Sequence, residues 1–383
     1  MDTSGDDWNV LASLLPARWQ QAAVEFGAVE RLRGFSSPEA LLRTILLHVA
    51  LGYSLRETVV RARLAGRADV SDVALLKRMR NSEGWLRFLC IALLREGGAA
   101  VFGTKVGRVR IVDGTIVKEP GKTGSQWRIL YSLRLPSLMC DFLEVTASDG
   151  AGNGESLNRL AVARHELILA DAGYCSVAGI EYVQRRGADV LVRINPQAFV
   201  AYTPQGKRFA LLTRLLALSQ AGQIGEWEVV LHGPNASFRG RVCAVRKGEH
   251  AIELANRRLH RRASKKQMST KPETLEFAKH VIVFTTRYRE SAAKILEWYR
   301  MRWQIELVFK RLKSLAKLGH LPKHDDRSSR AWLHGKLLVA LLTQKLIGIG
   351  RNISPSGCTL SVSTATEPVA RVQLRPPSSP ARY

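Results

Sequence analysis

The amino-acid sequence predicts an α/β protein in which a mixed sheet follows an all-helical region. Apolar residues recur at helical spacing across residues 8–100, and alternating, strand-like runs begin near residue 106. Three such runs precede a strand, a helix and a further strand. Antiparallel neighbours followed by a strand–helix–strand crossover give a sheet of both orientations.

Taken in order, Ser37 and Pro38 supply an N-cap and first-turn pair for a helix over residues 40–51. Residues 54–65 and 71–80 read as helix, turn, helix: Ser54 and Glu57 match a capping box, Gly66 ends the first helix and Ser71 caps the second. The second helix carries Lys77, Arg78 and Arg80, suited either to a nucleic-acid groove or to the solvated face of a plain helical hairpin. Another helical run covers residues 86–94.

Residues 106–112 alternate and end at Asp113-Gly114-Thr115, and strands at 129–135 and 139–146 flank the turn signal Pro136-Ser137. Residues 166–170 (ELILA) form a continuous apolar strand ending at Asp171, followed by a helix near 177–186 and a strand at 189–194. Residues 195–285 predict an inserted β region with strands at 227–231 and 241–246. It closes with a basic stretch, 254–271, that holds seven Lys or Arg and no acid, and with a last strand at 281–286. Residues 291–317 contain neither Gly nor Pro and predict one uninterrupted helix. Residues 357–383, rich in Ser, Thr, Pro and Ala without periodicity, are expected to be disordered.

Among 383 residues, 58 Lys and Arg stand against 33 Asp and Glu, a net charge of +25 with a pI near 10.4. Phosphates reward such a charge irrespective of sequence, so a nucleic acid is the expected partner, ahead of an anionic membrane surface. With 46% hydrophobic and 24% charged residues the composition is that of a globular chain, which excludes general disorder and a fibrous fold. Five widely spaced cysteines without a CxxC pair exclude a disulfide framework and a zinc knuckle and indicate a reducing cytoplasm. The acidic start MDTSGDDWNV is not a secretory signal. The longest apolar runs, 41–51 and 337–350, are interrupted by Arg43, His48, Gln344 and Lys345 and are too short to span a bilayer, so no membrane is expected.

On a helical wheel, Tyr299, Arg302, Glu306 and Lys313 fall within about 60° at ~100° per residue, beside an apolar sector of Trp298, Met301, Ile305, Val308, Phe309 and Leu312. Alone, this describes any amphipathic helix. Asp113 and Asp171, however, each end an apolar strand, where ligand-handling groups of α/β sheets collect, although a turn at Gly114 and a helix cap at Asp171 would also explain them. Two such aspartates with a helix glutamate form a carboxylate trio suited to two hard divalent cations, and paired metals serve phosphodiester displacement. Trp127 is read as core ahead of base stacking, Gly114 and Gly173 as turn residues or points of close DNA approach, and His165 and His320 as no ligands.

Three motifs, IVDGTIVKEPGKTGSQWRILYSL around Asp113, LADAGYCSVAGIEYV around Asp171 and YRMRWQIELVFKRLKSL around Glu306, resemble those of the insertion-sequence-4 family of DDE transposases. The last matches the family pattern Tyr-x2-Arg-x3-Glu-x6-Lys at Tyr299, Arg302, Glu306 and Lys313. The resemblance, over roughly residues 10–350, implies an RNase H-like core in two parts, residues 101–195 and 287–350, split by a β-rich insertion at 196–286. A helical DNA-binding region, residues 1–100, would precede the core and a tail, 351–383, would follow it. It implies that Asp113, Asp171 and Glu306 are catalytic and bind two Mg²⁺ or Mn²⁺ ions, and that Tyr299, Arg302 and Lys313, with Lys310 and Arg311, hold DNA. Terminal inverted repeats and target DNA would be the substrates of a homodimer assembled on DNA, acting in the bacterial cytoplasm at the nucleoid. Ala172 stands where relatives commonly carry Arg, and this departure, with the atypical tail, motivates a rival reading as a catalytically silent inhibitor that occupies transposon ends.

Overall fold

The computed structural model describes residues 4–97, 108–118, 126–150, 152–314, 316–319, 321–322 and 325–353. The chain divides into a unit of residues 1–344 and a second from 345 onward, whose described part is the end of one helix, 345–353. The expectation of disorder over residues 357–383 falls outside the described residues, as do His320 and Cys358.

Six helices open the chain: α1 (Ser4–Ser13), α2 (Trp19–Glu25), α3 (Pro38–Leu51), α4 (Leu55–Leu64), α5 (Asp72–Asn81) and α6 (Glu83–Gly97). Their boundaries follow the sequence signals. Ser37 Oγ accepts the Ala40 amide with Pro38 in the first turn, and Gly52 closes α3 at φ 73°. Ser54 and Ser71 cap α4 and α5 in the same way, and Gly66 turns the chain between them at φ 64°. Glu57 does not complete the capping box; its carboxylate accepts from Arg61 one turn on. Of the three cations noted on α5, Lys77 is exposed, Arg78 donates to the Arg31 carbonyl and Arg80 pairs with Asp325 at 2.8 Å. Trp85 is fully buried, stacked on Trp19 and donating its indole N–H to the Trp19 carbonyl.

The sheet contains β1 (Arg108–Lys118), β2 (Gln126–Leu135), β3 (Cys140–Ala147), β4 (Glu166–Ala170), β5 (Asp189–Arg193), β6 (Ile224–His232), β7 (Ser237–Arg246) and β8 (His280–Thr285). They form one mixed sheet in the order β3-β2-β1-β4-β5-β8-β7-β6. β1, β4 and β5 run parallel, and all other neighbours are antiparallel. All three strands of the 196–286 stretch, β6, β7 and β8, thus belong to the main sheet, which β8 joins beside β5. α7 (Val177–Gln184) makes the crossover from β4 to β5, and α8 (Leu211–Leu216), α9 (Glu249–Lys265) and α10 (Pro272–Ala278) accompany the later strands. α11 (Ala292–Arg300), α12 (Trp303–Ser314) and α13 (Asp326–Ile353) complete the described chain.

Side-chain alternation divides the core between the two faces of the sheet. Val109, Ile111, Leu167 and Leu169 join the N-terminal helices, α11 and α12 on one face. Val112, Ile168, Ala170 and Val190 join α7 and α8 on the other. A mixed sheet with helices on both faces and an N-terminal helical region is the expected RNase H-like arrangement. Among the described residues no helix is long and apolar enough to cross a membrane, and Cys90, Cys140, Cys175 and Cys243 are free.

Two expectations are corrected. β1 does not end at Asp113: antiparallel pairing with β2 continues to Lys118↔Gln126, so hydrogen bonds hold the strand extended after β4 has stopped. Nor is 291–317 one helix. It breaks between Arg300 and Trp303, where the amides of Met301, Arg302, Gln304 and Ile305 reach back three residues instead of four, a tight turn between two helices.

Candidate active site

Parallel pairing of β1 with β4 ends at Val112↔Ala170, so Asp113 and Asp171 are the next residues on adjacent strands. Both follow residues of the same face, Ile111 and Leu169, and by strand alternation are directed toward the side that α12 covers. Asp113 Oδ1 accepts the Gly114 amide at 2.8 Å, so part of the turn-like reading of this residue is real. Asp171 precedes a 3₁₀ turn (Ala172–Tyr174) without capping it, and its buried Oδ1 has no hydrogen-bond partner among the described residues.

The break before α12 decides where Arg302 goes. Its guanidinium donates to Asp113 Oδ2 at 3.1 Å and, through the other terminal nitrogen, to Glu306 in the first turn of α12. The structure therefore brings Asp113 beside Asp171 and ties Glu306 to Asp113 through an arginine. Among the described residues no three His, Cys, Asp or Glu side chains already stand as a metal-holding group. Tyr299, at the end of α11, is only 8% exposed and belongs to the core, with the Arg302 guanidinium carbon 5.9 Å from its ring centre. Lys310, Arg311 and Lys313 are exposed along α12, and Trp127 is buried.

Burial pushes the Asp113 carboxyl up to about 6; the Gly114 amide and Arg302 oppose that rise, and the negative charges of Asp171 and Glu155 add to it. Glu155 has no counterpart among the sequence-derived candidates. It pairs with Arg128 at 3.2 Å, and burial, then the Asp171 charge, raise its pKa against the pull of Arg128. Its carboxylate lies close to both site glycines: a β-carbon on Gly114 would meet Glu155 Oε1 at 2.9 Å, and one on Gly173 would displace Oε2, which sits at the end of a flexible side chain.

Beside the carboxylates opens a cleft of about 640 Å³ lined by Arg193, Lys247, Arg258, Arg262, Arg302 and the 58%-exposed Trp303. A second, of about 440 Å³, shares Arg193 and Arg262 and reaches Asp171 and Ala172. The basic 254–271 stretch resolves into the greater part of α9 and the turn that leads to α10, and α9 presents Arg258 and Arg262 to the first cleft and Arg262 to the second. Burial first, and then the charges of Arg193 and Arg258, bring the Lys247 ammonium down to about 8. A carboxylate group bordered by a basic cleft suits a polyanion held over a hard-cation centre.

The model of the family described as Transposase DDE domain matches residues 104–342, well over half of the chain. The chain belongs to the DDE transposases. It is 32% identical over 357 residues to the putative transposase InsL of insertion sequence IS186A from Escherichia coli K12, covering 91% of this chain and 95% of the relative. The IS421 transposase of Escherichia coli is equally similar, 32% over 358 residues with the same coverage. The IS231B transposase of Bacillus thuringiensis subsp. berliner is 23% identical over 370 residues, 86% of this chain and 77% of that one.

For this DDE transposase, sequence reasoning missed Glu155, Arg193 and Trp303. Arg193 was within reach of the rule that selected the aspartates, because it ends β5, the strand next to β4. Glu155 lies in a loop after a glycine-rich turn, where no periodicity marks it.

Proposed function

We propose that the chain is a transposase of the insertion-sequence-4 type that binds the terminal inverted repeats of its element, cleaves them and joins the freed ends to target DNA. The observation that carries this reading is the pair Asp113, on β1, and Asp171, directly after the adjacent β4, with Asp171 Oδ1 buried and without a partner among the described residues and a basic cleft alongside. The donor chemistry fits hard divalent ions: all candidate ligands are carboxylate oxygens, and one of them, Asp171 Oδ1, lacks a hydrogen-bond partner among the described residues.

Asp113, Asp171 and Glu306 would hold two Mg²⁺ or Mn²⁺ ions. When bound, such ions make water a competent nucleophile and stabilise the leaving oxygen of a phosphodiester. Arg302, now shared between Asp113 and Glu306, would exchange those carboxylates for a backbone phosphate, to which its planar fork is matched. Lys310, Arg311 and Lys313 are exposed on the same helix and would follow the strand. Tyr299, packed beneath Arg302, would keep that arginine directed at the cleaved strand.

The reaction begins with hydrolysis of one phosphodiester at the element's end, which leaves a 3′-hydroxyl. That hydroxyl then attacks a second phosphodiester and displaces its 3′-oxygen, so no covalent enzyme intermediate and no ATP are required. Two ends must be processed together, which favours a homodimer assembled on DNA.

A Mg²⁺-dependent nicking assay on DNA carrying the element's ends tests the reading. Cleavage by the unmodified protein that is lost in Asp113→Asn, Asp171→Asn and Glu306→Gln, with DNA binding kept, supports it. Tight binding without cleavage would identify an inhibitor of transposition instead, the reading that Ala172 beside Asp171 favours.

A further inference from the structure

The register of the sheet puts a third charged residue in line with the two aspartates. Val112 pairs with Ala170, and Ala170 pairs in turn with Val192, so Asp113, Asp171 and Arg193 take successive places in one row across the parallel strands β1, β4 and β5. Leu191, two residues before Arg193, lies in the same core as Ile111 and Leu169. Strand alternation therefore directs all three side chains to the face that α11 and α12 cover. Beyond Arg193 the row becomes apolar, with Val283 on β8 and Cys243 on β7.

Although level with Asp171, Arg193 does not pair with it. Among the described residues the exposed Arg193 side chain makes no ion pair and no hydrogen bond, and Asp171 Oδ1 is buried without a partner. The arginine instead lines both clefts, beside Tyr299 and Arg302 in the larger and beside Asp171 and Ala172 in the smaller. The larger cleft has six cations in its lining, Arg193, Lys247, Arg258, Arg262, Arg300 and Arg302, and no acid among its described residues. These charges repel one another until an anion enters. Arg302 is already held by Asp113 and Glu306, whereas Arg193 stands in the aspartate row and is free to meet that anion.

We propose that Arg193 is a further catalytic residue of the cleavage reaction, its guanidinium donating two parallel N–H bonds to the non-bridging oxygens of the phosphodiester cut beside Asp113 and Asp171. The inference deepens the transposase reading above and rests on it. Negative charge grows on the phosphodiester oxygens during displacement, and a planar, permanently charged fork matches two of them. Arg302 has to release two carboxylates before it can act on a phosphate; Arg193 has none to release. A cation that added only to the field of the cleft would attract DNA without favouring the transition state over bound DNA.

Single-turnover cleavage by the full-length protein, with Mg²⁺ and saturating duplex that carries the element's ends, separates the two roles when measured beside the affinity for the same duplex. Arg193→Ala is expected to cleave about a hundredfold more slowly at saturation, while its dissociation constant rises less than about fivefold and the slope of log affinity against log salt falls by about one. Arg193→Lys keeps the charge but offers a point donor in place of a fork, so it should restore the salt slope and still cleave about tenfold more slowly than the unmodified protein. Both variants alter an exposed side chain and should melt with the unmodified protein; if Arg193→Ala does not, Arg193→Lys decides. A saturated rate within about threefold of the unmodified protein, with the loss confined to affinity, overturns the proposal and leaves the transposase reading standing. If the unmodified protein binds this DNA and does not cleave it, that reading fails and the inference with it.

Discussion

β1 and β4 carry two carboxylate–arginine groups a few residues apart, and they are built on opposite principles. In the first, Arg110 pairs with Asp141 at 2.9 Å and with Glu166 at 3.1 Å, and donates to the Ala161 carbonyl and to Ser132. Arg134 pairs with Asp141 as well, and Glu166 also accepts the Ala163 amide. Two arginines balance two carboxylates, and Arg110 and Glu166 are 3% and 1% exposed. In the second, among the described residues, two arginines pair with members of a group of four carboxylates, Asp171 Oδ1 and the Tyr174 hydroxyl are buried without hydrogen-bond partners, and the Asp113 carboxyl is pushed up to about 6 by burial. Burial of charge is common to both. The difference is one of charge: the carboxylates and arginines of the first group balance one another, although Arg110 Nε meets Asp141 without making a hydrogen bond, while the second group carries an excess of carboxylates, as binding sites often do.

The largest expected effect falls on catalysis. Asp113→Asn and Asp171→Asn should each lower strand cleavage by a thousandfold or more while leaving the melting temperature unchanged or higher, since each relieves like-charge repulsion. A clear drop in melting temperature would erase the distinction between the two groups. The converse change, Arg110→Ala, leaves Asp141 and Glu166 buried without their shared counter-ion and should cost about 3–5 kcal/mol in denaturant unfolding. A loss below ~1 kcal/mol would show that the first group does not depend on its charge balance.

Stability against pH sharpens the contrast further. Asp113 titrates near 6 in the folded metal-free protein, above its usual 3.8, so between those values the native state binds more protons than the unfolded one. Its contribution to stability is therefore greatest at low pH and is lost as pH rises through about 6. The stability advantage of Asp113→Asn over the unmodified protein should grow from pH 4 to pH 6 and then level off, at ~1.4 kcal/mol per unit of pKa shift at most. Paired urea titrations across that range check it, and a difference independent of pH would refute it.

Smaller effects concern DNA. Arg302→Met should leave Asp113 and Glu306 unpaired, strengthen Mn²⁺ binding severalfold in the absence of DNA and weaken binding to the inverted repeats about tenfold. Lys313→Ala, which lies outside both groups, should change stability by less than ~0.5 kcal/mol and reduce the slope of log affinity against log salt by about one.

Much of this organisation is legible in the sequence because it is local. Ser37, Ser54 and Ser71 mark helix starts through their own side-chain oxygens, and Gly52 and Gly66 mark turns through positive φ. ELILA announces a doubly covered strand because every residue in it is apolar or, like Glu166, internally paired. The misreadings are non-local. β1 outlasts Asp113 because β2, not β4, supplies the pairing there, and the helix break at Met301-Arg302 has no Gly or Pro to signal it.

Composition and residue order by themselves determined the basic charge, the succession of helices and strands, and the identity of Asp113, Asp171 and Glu306 as the acids worth watching. These depend on short-range geometry and on which side chains can leave water. Only the tertiary structure set Asp113 beside Asp171 through parallel pairing, turned Arg302 onto Asp113 and Glu306, and threaded Glu155 past Gly114 and Gly173. Register across a sheet and the room beside a glycine depend on distant partners, and distant partners leave no periodic trace along a chain.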